Sequence, residues 1–197
     1  MLEKLKNKSV GIAGCGGLGS NCAVALARVG IGELIIVDFD IVEEGNLNRQ
    51  YYFLDQVGMK KVDALETNLK RINKEVKIVK HDIKIERNNL FAIFKDCDVI
   101  VEAFDLAEMK KMLIETLLDK LPEKHVVSGI GLGGWGNNNS IHTIQHGNIY
   151  ICGDEKTESN DSFPPLAPRV GIVSHMQANQ VLEILLNKKT DENHTQQ

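Results

Sequence analysis

The first residues able to do chemistry are glycines. Gly14, Gly16, Gly17 and Gly19 lie in Gly14-Cys15-Gly16-Gly17-Leu18-Gly19, the G-x-G-x-x-G spacing of a phosphate-binding turn. Glycine tolerates positive φ and lets an anion approach the backbone closely. The turn follows an apolar run, Ser9 to Ala13, and precedes Ser20 to Val29, where apolar residues recur at helical spacing. A helix starting there offers free N–H groups and roughly half a positive charge to an anion. A second apolar run, Glu33 to Val37, closes at Asp38-Phe39-Asp40. Asp38 falls 19 positions after Gly19, at a predicted strand end, where a carboxylate can accept hydrogen bonds from ribose hydroxyls. The glycines could instead serve only close helix–sheet packing, and the motif alone does not separate NAD from ATP.

Four further side chains favour a triphosphate. Asn46, Arg49 and Lys61 follow the second strand, and Asp105 lies just past a third apolar run, Asp98 to Glu102. In a parallel sheet the carboxyl ends of the strands share one edge, so the glycine turn, Asp38 and Asp105 should meet there. A triphosphate needs cations for its charge and a carboxylate for Mg²⁺, and a dinucleotide needs no such set. Singly, each has an ordinary reading: Lys61 a solvated helix lysine, Arg49 a surface ion pair, Asp105 a helix N-cap.

The elements that must position these residues read as an α/β fold. The first 40 residues form a β-α-β unit, which needs a right-handed crossover. Gly58 to Asn73 is predicted helical, Val76 to His81 a strand, Asn89 to Lys95 a short helix, and Met109 to Leu121 an amphipathic helix stopped by Pro122. After a strand at Val126-Val127 the rhythm changes. Ser128 to Asn139 is rich in glycine and asparagine, and Ser140 to Gln145 and Asn148 to Ile151 suit a hairpin about His146-Gly147. Gly153 to Pro168 reads as a polar, mobile crossing loop, and Val170 to Leu186 as a last helix. The expected fold class is a doubly wound, Rossmann-like, mainly parallel sheet with antiparallel C-terminal strands, in one domain over 1–187 with a flexible tail over 188–197.

Composition narrows the field. The 197 residues carry 27 acidic and 23 basic side chains, a formal net charge of -4, which gives no general pull toward nucleic acid or anionic lipid. No run is long enough to span a bilayer and Met1 to Ser9 lacks a signal-type apolar core, so a cytoplasmic location is expected. Cys15, Cys22, Cys97 and Cys152 are scattered, without CxxC pairs.

The segments Gly14 to Ser20, Asp38-Phe-Asp-Ile-Val-Glu-Glu-Gly-Asn-Leu-Asn-Arg-Gln50, Val57 to Val62 and Val99-Ile-Val-Glu-Ala-Phe-Asp105 together resemble the E1-like activating enzymes, and among them the ThiF and MoeB families. The similarity runs from about Val10 to Leu186, and Asn-Leu-x-Arg-Gln discriminates better than the glycines. The resemblance implies ATP-dependent adenylation of the C-terminal glycine of a ThiS-like, ubiquitin-fold sulfur carrier in thiamine thiazole biosynthesis, by a homodimer. It implies that Gly14, Gly16, Gly17, Gly19, Asp38 and Asp40 bind nucleotide, that Asn46, Arg49 and Lys61 contact phosphates, and that Asp105 binds Mg²⁺, with Arg49, Lys61 and Asp105 as the catalytic set.

The chain also departs from those families. It lacks their paired zinc cysteines, so no zinc is expected. No cysteine lies in Gly153 to Pro168 to form an acyl-disulfide, and Cys152 reads as a plain strand cysteine. A helix N-terminus could lower the pKa of Cys15, although incidental packing suits it as well. No arginine precedes the first strand, leaving Lys4, Lys6 or Lys8 for its role in the partner's site. Trp135, within a glycine-rich run, suits either a loop anchor or a carrier's Gly-Gly tail. Other acceptors, namely a MoaD-like carrier or a modified tRNA nucleoside, an NAD-dependent oxidoreductase and a non-catalytic carrier-binding protein stand as alternatives.

Overall fold

The computed structural model describes residues 2–187. The predicted tail, 188–197, lies outside the described residues. Strand β1 (Ser9–Ala13) leads into α1 (Gly17–Arg28) and β2 (Glu33–Asp38). After a long connection come α2 (Lys61–Ile72), β3 (Lys77–Asp82), the short α3 (Leu90–Phe94) and β4 (Val99–Glu102). Then follow α4 (Ala107–Lys120), β5 (His125–Gly129), the hairpin β6 (His142–His146) and β7 (Ile149–Gly153), and α5 (Ala167–Leu186). They make one seven-stranded sheet in the order β3-β2-β1-β4-β5-β7-β6. The doubly wound, Rossmann-like fold class read from the sequence is therefore borne out. β7 extends the parallel array beside β5, with Val126 opposite Ile149, and β6 closes the edge antiparallel to β7.

The centre of the sheet is covered on both faces, which is why β2 and β4 read as unbroken apolar runs rather than alternating ones, while the edge strands β3 and β6 carry polar residues. Successive residues take opposite sides. Leu34 and Ile36 of β2, Val10 and Ile12 of β1, and Val99 and Val101 of β4 join the core under α1, α2 and α5. Ile35, Val37 and Ile100 join the core under α3 and α4 with Phe94, Leu113 and Leu117. Helix α2 begins at Lys61, three residues later than the sequence suggested, because the chain at 54–60 is taken up otherwise. Leu54–Gln56 is a 3-10 turn whose Gln56 side chain accepts the Phe53 N–H at 3.1 Å, and Lys60 bridges Ile41 antiparallel. Among the described residues no helix is long and apolar enough to cross a membrane.

Candidate functional site: a nucleotide cleft at the carboxyl edge of the sheet

The glycine turn sits where β1 ends and α1 begins. Gly14 has φ +97°, open to glycine at little cost, and its N–H donates to the Val37 carbonyl at 2.9 Å. A Cβ on Gly19 would lie 1.8 Å from the Gly14 carbonyl oxygen, so the turn closes only with glycine there. Gly16 differs. A Cβ on it would meet nothing nearer than the Gln50 amide at 3.8 Å, which leaves its face free beside the first turn of α1. The packing explanation therefore accounts for Gly14 and Gly19 but not for Gly16.

Asp38 is bound into this turn. One carboxylate oxygen accepts the Cys15 N–H at 2.6 Å and the other the Asp40 N–H at 2.9 Å. Each oxygen keeps a second lone pair for a ribose hydroxyl. The segment after β2 is stitched to the turn by groups of both. Tyr52 donates its hydroxyl to the Cys15 carbonyl at 2.7 Å, Ser20 Oγ accepts the Tyr51 N–H at 2.9 Å, and Asn21 Nδ2 donates to the Arg49 carbonyl at 2.9 Å. These bonds lay the stem of Arg49 over Gly17, whose Cβ would stand 3.6 Å from Arg49 Cγ. The guanidinium donates to Asn48 Oδ1 at 2.8 Å and to the Gly45 carbonyl at 3.2 Å.

The other sequence-predicted residues fall into three situations. Lys61 and Asp40 meet: the ammonium, almost wholly buried, lies 2.7 Å from the half-exposed Asp40 carboxylate. Asn46 serves its own 3-10 turn, where Oδ1 accepts the Glu43 N–H at 3.1 Å. Asp105 stands exposed between β4 and α4, two residues after Ala103, whose backbone a Gly14 Cβ would strike. It has no hydrogen bond or ion pair among the described residues. The N-cap of α4 is Leu106, so the capping reading of Asp105 fails.

The cysteines are all buried. Burial, helped by the nearby Asp38 charge, pushes the Cys15 thiol well above its ordinary range. That outweighs any lowering by the helix N-terminus. Burial raises Cys152 as well, and its sulfur sits 3.6 Å from Thr143 Oγ1. Lys6 and Lys8 pair with Glu3 and Asp98, each at 2.7 Å, and Lys8 does so at the edge where the strands begin.

Compared with known protein families, the whole chain, residues 1–197, matches the ThiF family. The chain belongs to the ThiF family. The adenylyltransferase and sulfurtransferase UBA4 of Eremothecium gossypii is 36% identical over 197 residues, covering 96% of this chain and 44% of that protein. The adenylyltransferase and sulfurtransferase MOCS3 of Aedes aegypti is 31% identical over 190 residues, 93% of this chain and 43% of that protein. The chain thus spans less than half the length of these relatives. Among solved structures, Escherichia coli tRNA N6-threonylcarbamoyladenosine dehydratase, TcdA, in complex with ATP superposes with a TM-score of 0.86 at 19% identity, over 98% of this chain and 91% of that one. Escherichia coli MccB with ATP gives 0.71 at 26% identity, over 93% and 57%.

This ThiF-family chain also holds polar groups at the cleft that sequence reading passed over. At the end of β4, Glu102 is fully buried and accepts Lys110 Nζ at 2.9 Å, Ser128 Oγ at 2.5 Å and the Phe104 N–H at 2.7 Å. Lys110, on α4, also donates to the Gly129 carbonyl at 2.9 Å. Together they fix the turn that carries Asp105. In the first turn of α5, Arg169 donates to the Gly131 and Gly136 carbonyls at 2.7 and 3.0 Å and to the buried Asp154. The only sequence signal for either pair was a charge beside an apolar run.

Proposed function

We propose that this protein binds ATP in the cleft and adenylates the C-terminal glycine carboxylate of a ubiquitin-fold sulfur carrier. The observation that carries the nucleotide half is the open face of Gly16 at the start of α1, with Asp38 tied to the same turn and Arg49 laid over Gly17. The family membership and the adenylyltransferase names of its relatives carry the acyl half. In the reaction the carrier carboxylate forms a bond to the α-phosphorus and the bond to pyrophosphate breaks, giving an acyl-adenylate. A carboxylate is already ionised at neutral pH, so no general base is needed. The protein's work is positioning and charge stabilisation. Asp38 accepts from the ribose, and Arg49 offers a planar fork to phosphate oxygens.

Lys61 joins the site at one remove. Its charge is held by Asp40, so it reaches a phosphate only by sharing or leaving that carboxylate. Asp105 is the carboxylate available for Mg²⁺. Among the described residues no cluster of three metal-ligating side chains exists, but Mg²⁺ on nucleotide phosphates typically takes one or two protein carboxylates, which a lone Asp105 fits. Bound there, Mg²⁺ would offset phosphate charge.

The thiazole-pathway carrier ThiS remains the first candidate acceptor, by motif resemblance, and a homodimer in the cytoplasm is the expected state. A carrier serving tRNA modification, or a tRNA nucleoside itself, is the second reading, favoured by the TcdA likeness in fold; the net charge of -4 weighs against direct tRNA binding. Carrier-dependent exchange of labelled pyrophosphate into ATP tests the proposal, with ThiS, a MoaD-like carrier and no carrier in parallel. Exchange only with a Gly-Gly-ending carrier supports it and selects the acceptor. Absence of exchange from every carrier, with folded protein and Mg²⁺ present, refutes it.

A further inference from the structure

The two edges of the sheet are finished differently. On the outermost strand β3, Lys77 and Lys80 are both present, and Lys80 is tied to Asp63 and Glu66 at 2.7 and 2.6 Å. Lysines on an edge discourage a foreign strand from pairing there. At the other edge β6 reads His142-Thr143-Ile144-Gln145-His146, without lysine or proline, and its five residues pair with β7 in unbroken register. Every second N–H and C=O of an antiparallel edge strand points outward, so β6 offers a ladder with no partner strand among the described residues.

A groove runs beside that edge. Thr143 and Gln145 lie opposite Cys152 and Tyr150, on the face that packs with α5. Along α5, Ile172, Met176, Gln180 and Glu183 recur at helical spacing and make one stripe. Between stripe and strand lie two open cavities of about 430 and 330 Å³, which share Thr143 and Gln180. Ile172 and Met176 wall the first, and Gln145, Tyr150 and Glu183 wall the second. The stripe rises about 16 Å and a five-residue strand spans about 17 Å, so the two match in length. Glu183 is exposed and makes no ion pair among the described residues. Burial and the Glu183 charge both raise the Tyr150 phenol, which sets that carboxylate over the second cavity.

We infer that the β6 edge and the α5 stripe form a docking groove for an extended segment of a partner protein. The segment adds an antiparallel strand to the sheet, with a basic side chain against Glu183 and an apolar one, two residues later, against Ile172 and Met176. Main-chain bonds supply affinity and the two cavities select side chains. The spacing follows from the strand itself: Thr143 and Gln145 are two residues apart, and residues of an added strand that face the same way fall at the same interval. Three strands separate β6 from β1 and its glycine turn, so the inference stands apart from the nucleotide reading.

The test titrates the full chain with acetyl-Thr-Arg-Val-Leu-Thr-amide and with its Glu-for-Arg counterpart, reading hydrogen exchange at the β6 amides by NMR. Alternate β6 amides should exchange freely in the protein alone and become protected by the Arg peptide. That peptide should bind about fivefold more tightly than the Glu peptide, and Glu183→Lys should reverse the preference. N-methylation of the peptide at Val or at Leu should abolish binding at one position and spare it at the other, because only alternate N–H groups face the ladder. Exchange that no peptide slows at millimolar concentration overturns the inference, as does equal loss from the two methylations or a preference that Glu183→Lys leaves unmoved. Protection already present in the protein alone means that the edge is occupied, by a second copy if the chain elutes as a dimer, and overturns it too.

Discussion

The Glu102–Lys110 pair allows a sharp test of how the cleft is braced. Glu102 is fully buried and the Lys110 side chain is 16% exposed, so solvent screens their attraction little. Lys110→Met would leave the carboxylate among Phe104, Ser128 and the sheet with no counter-charge. Stranding one member of a buried pair costs about 3–5 kcal/mol, which for a chain of this size lowers the melting temperature by roughly 6–20 °C. Adding Glu102→Gln removes the stranded charge while an amide oxygen can still accept the Phe104 N–H. The double variant should therefore be more stable than Lys110→Met alone, even though it carries one more change. Urea denaturation of both single variants and the double closes the cycle. A double variant no more stable than Lys110→Met would refute the claim that uncompensated charge, rather than lost packing, is the cost. Nucleotide titration on the same proteins should find the double variant weaker for ATP–Mg²⁺ than the unmodified chain, since the turn bearing Asp105 loses a tie to α4.

Other outcomes are expected at single positions. Arg49→Ala or Asp105→Ala should abolish pyrophosphate exchange while leaving the circular dichroism spectrum and melting temperature nearly unchanged, because Asp105 is exposed and the half-buried Arg49 bonds only exposed groups at Gly45 and Asn48. Gly19→Ala should lower stability and ATP binding together, its Cβ falling 1.8 Å from the Gly14 oxygen, and titration alongside thermal melting would show whether they move apart. Burial works against ionisation of Asp98, but the bonds from Lys8 and the Ser9 N–H win and hold its carboxyl below the usual range. A depressed carboxyl adds stability that is present above its unfolded pKa and lost as pH falls through the folded one. Asp98→Asn should accordingly flatten the acid side of a stability–pH curve, and an unchanged curve would refute this. Native protein at pH 8 should resist iodoacetamide at Cys15, whose thiol is buried and raised, and react after denaturation.

What the sequence made legible was local. The order strand, turn, helix around Gly14 to Gly19 needs only neighbouring residues, as does the pairing of His142–His146 with Ile149–Gly153 about His146-Gly147. Asp38 was legible because the carboxylate and the turn it serves end adjacent strands. Tyr52 was not, since its use depends on Cys15, 37 positions away, and a tyrosine beside apolar residues reads as core. Glu102 read as the residue closing a strand, and its partners Lys110 and Ser128 come from a helix and another strand. Asp40 and Lys61 were each read as ligand contacts, and the fold brings them to one another first. Long-range polar pairing has no period, so hydropathy cannot announce it.

The Arg169 clamp bears on how this chain can change over generations. The segment between Asp154 and α5 is pinned at both ends to one buried pair, and Gly134 N–H reaches its Pro164 carbonyl at 3.0 Å. A strand of chain pegged in this way is a handle rather than a flap. Its ends stay put whatever its contour, and doubling the length of a flexible loop costs only about 0.6 kcal/mol. Insertions, deletions and new side chains can therefore accumulate between the pegs without reaching the glycine turn or Asp38. New side chains there leave the cleft intact as long as Arg169 and Asp154 keep their grip.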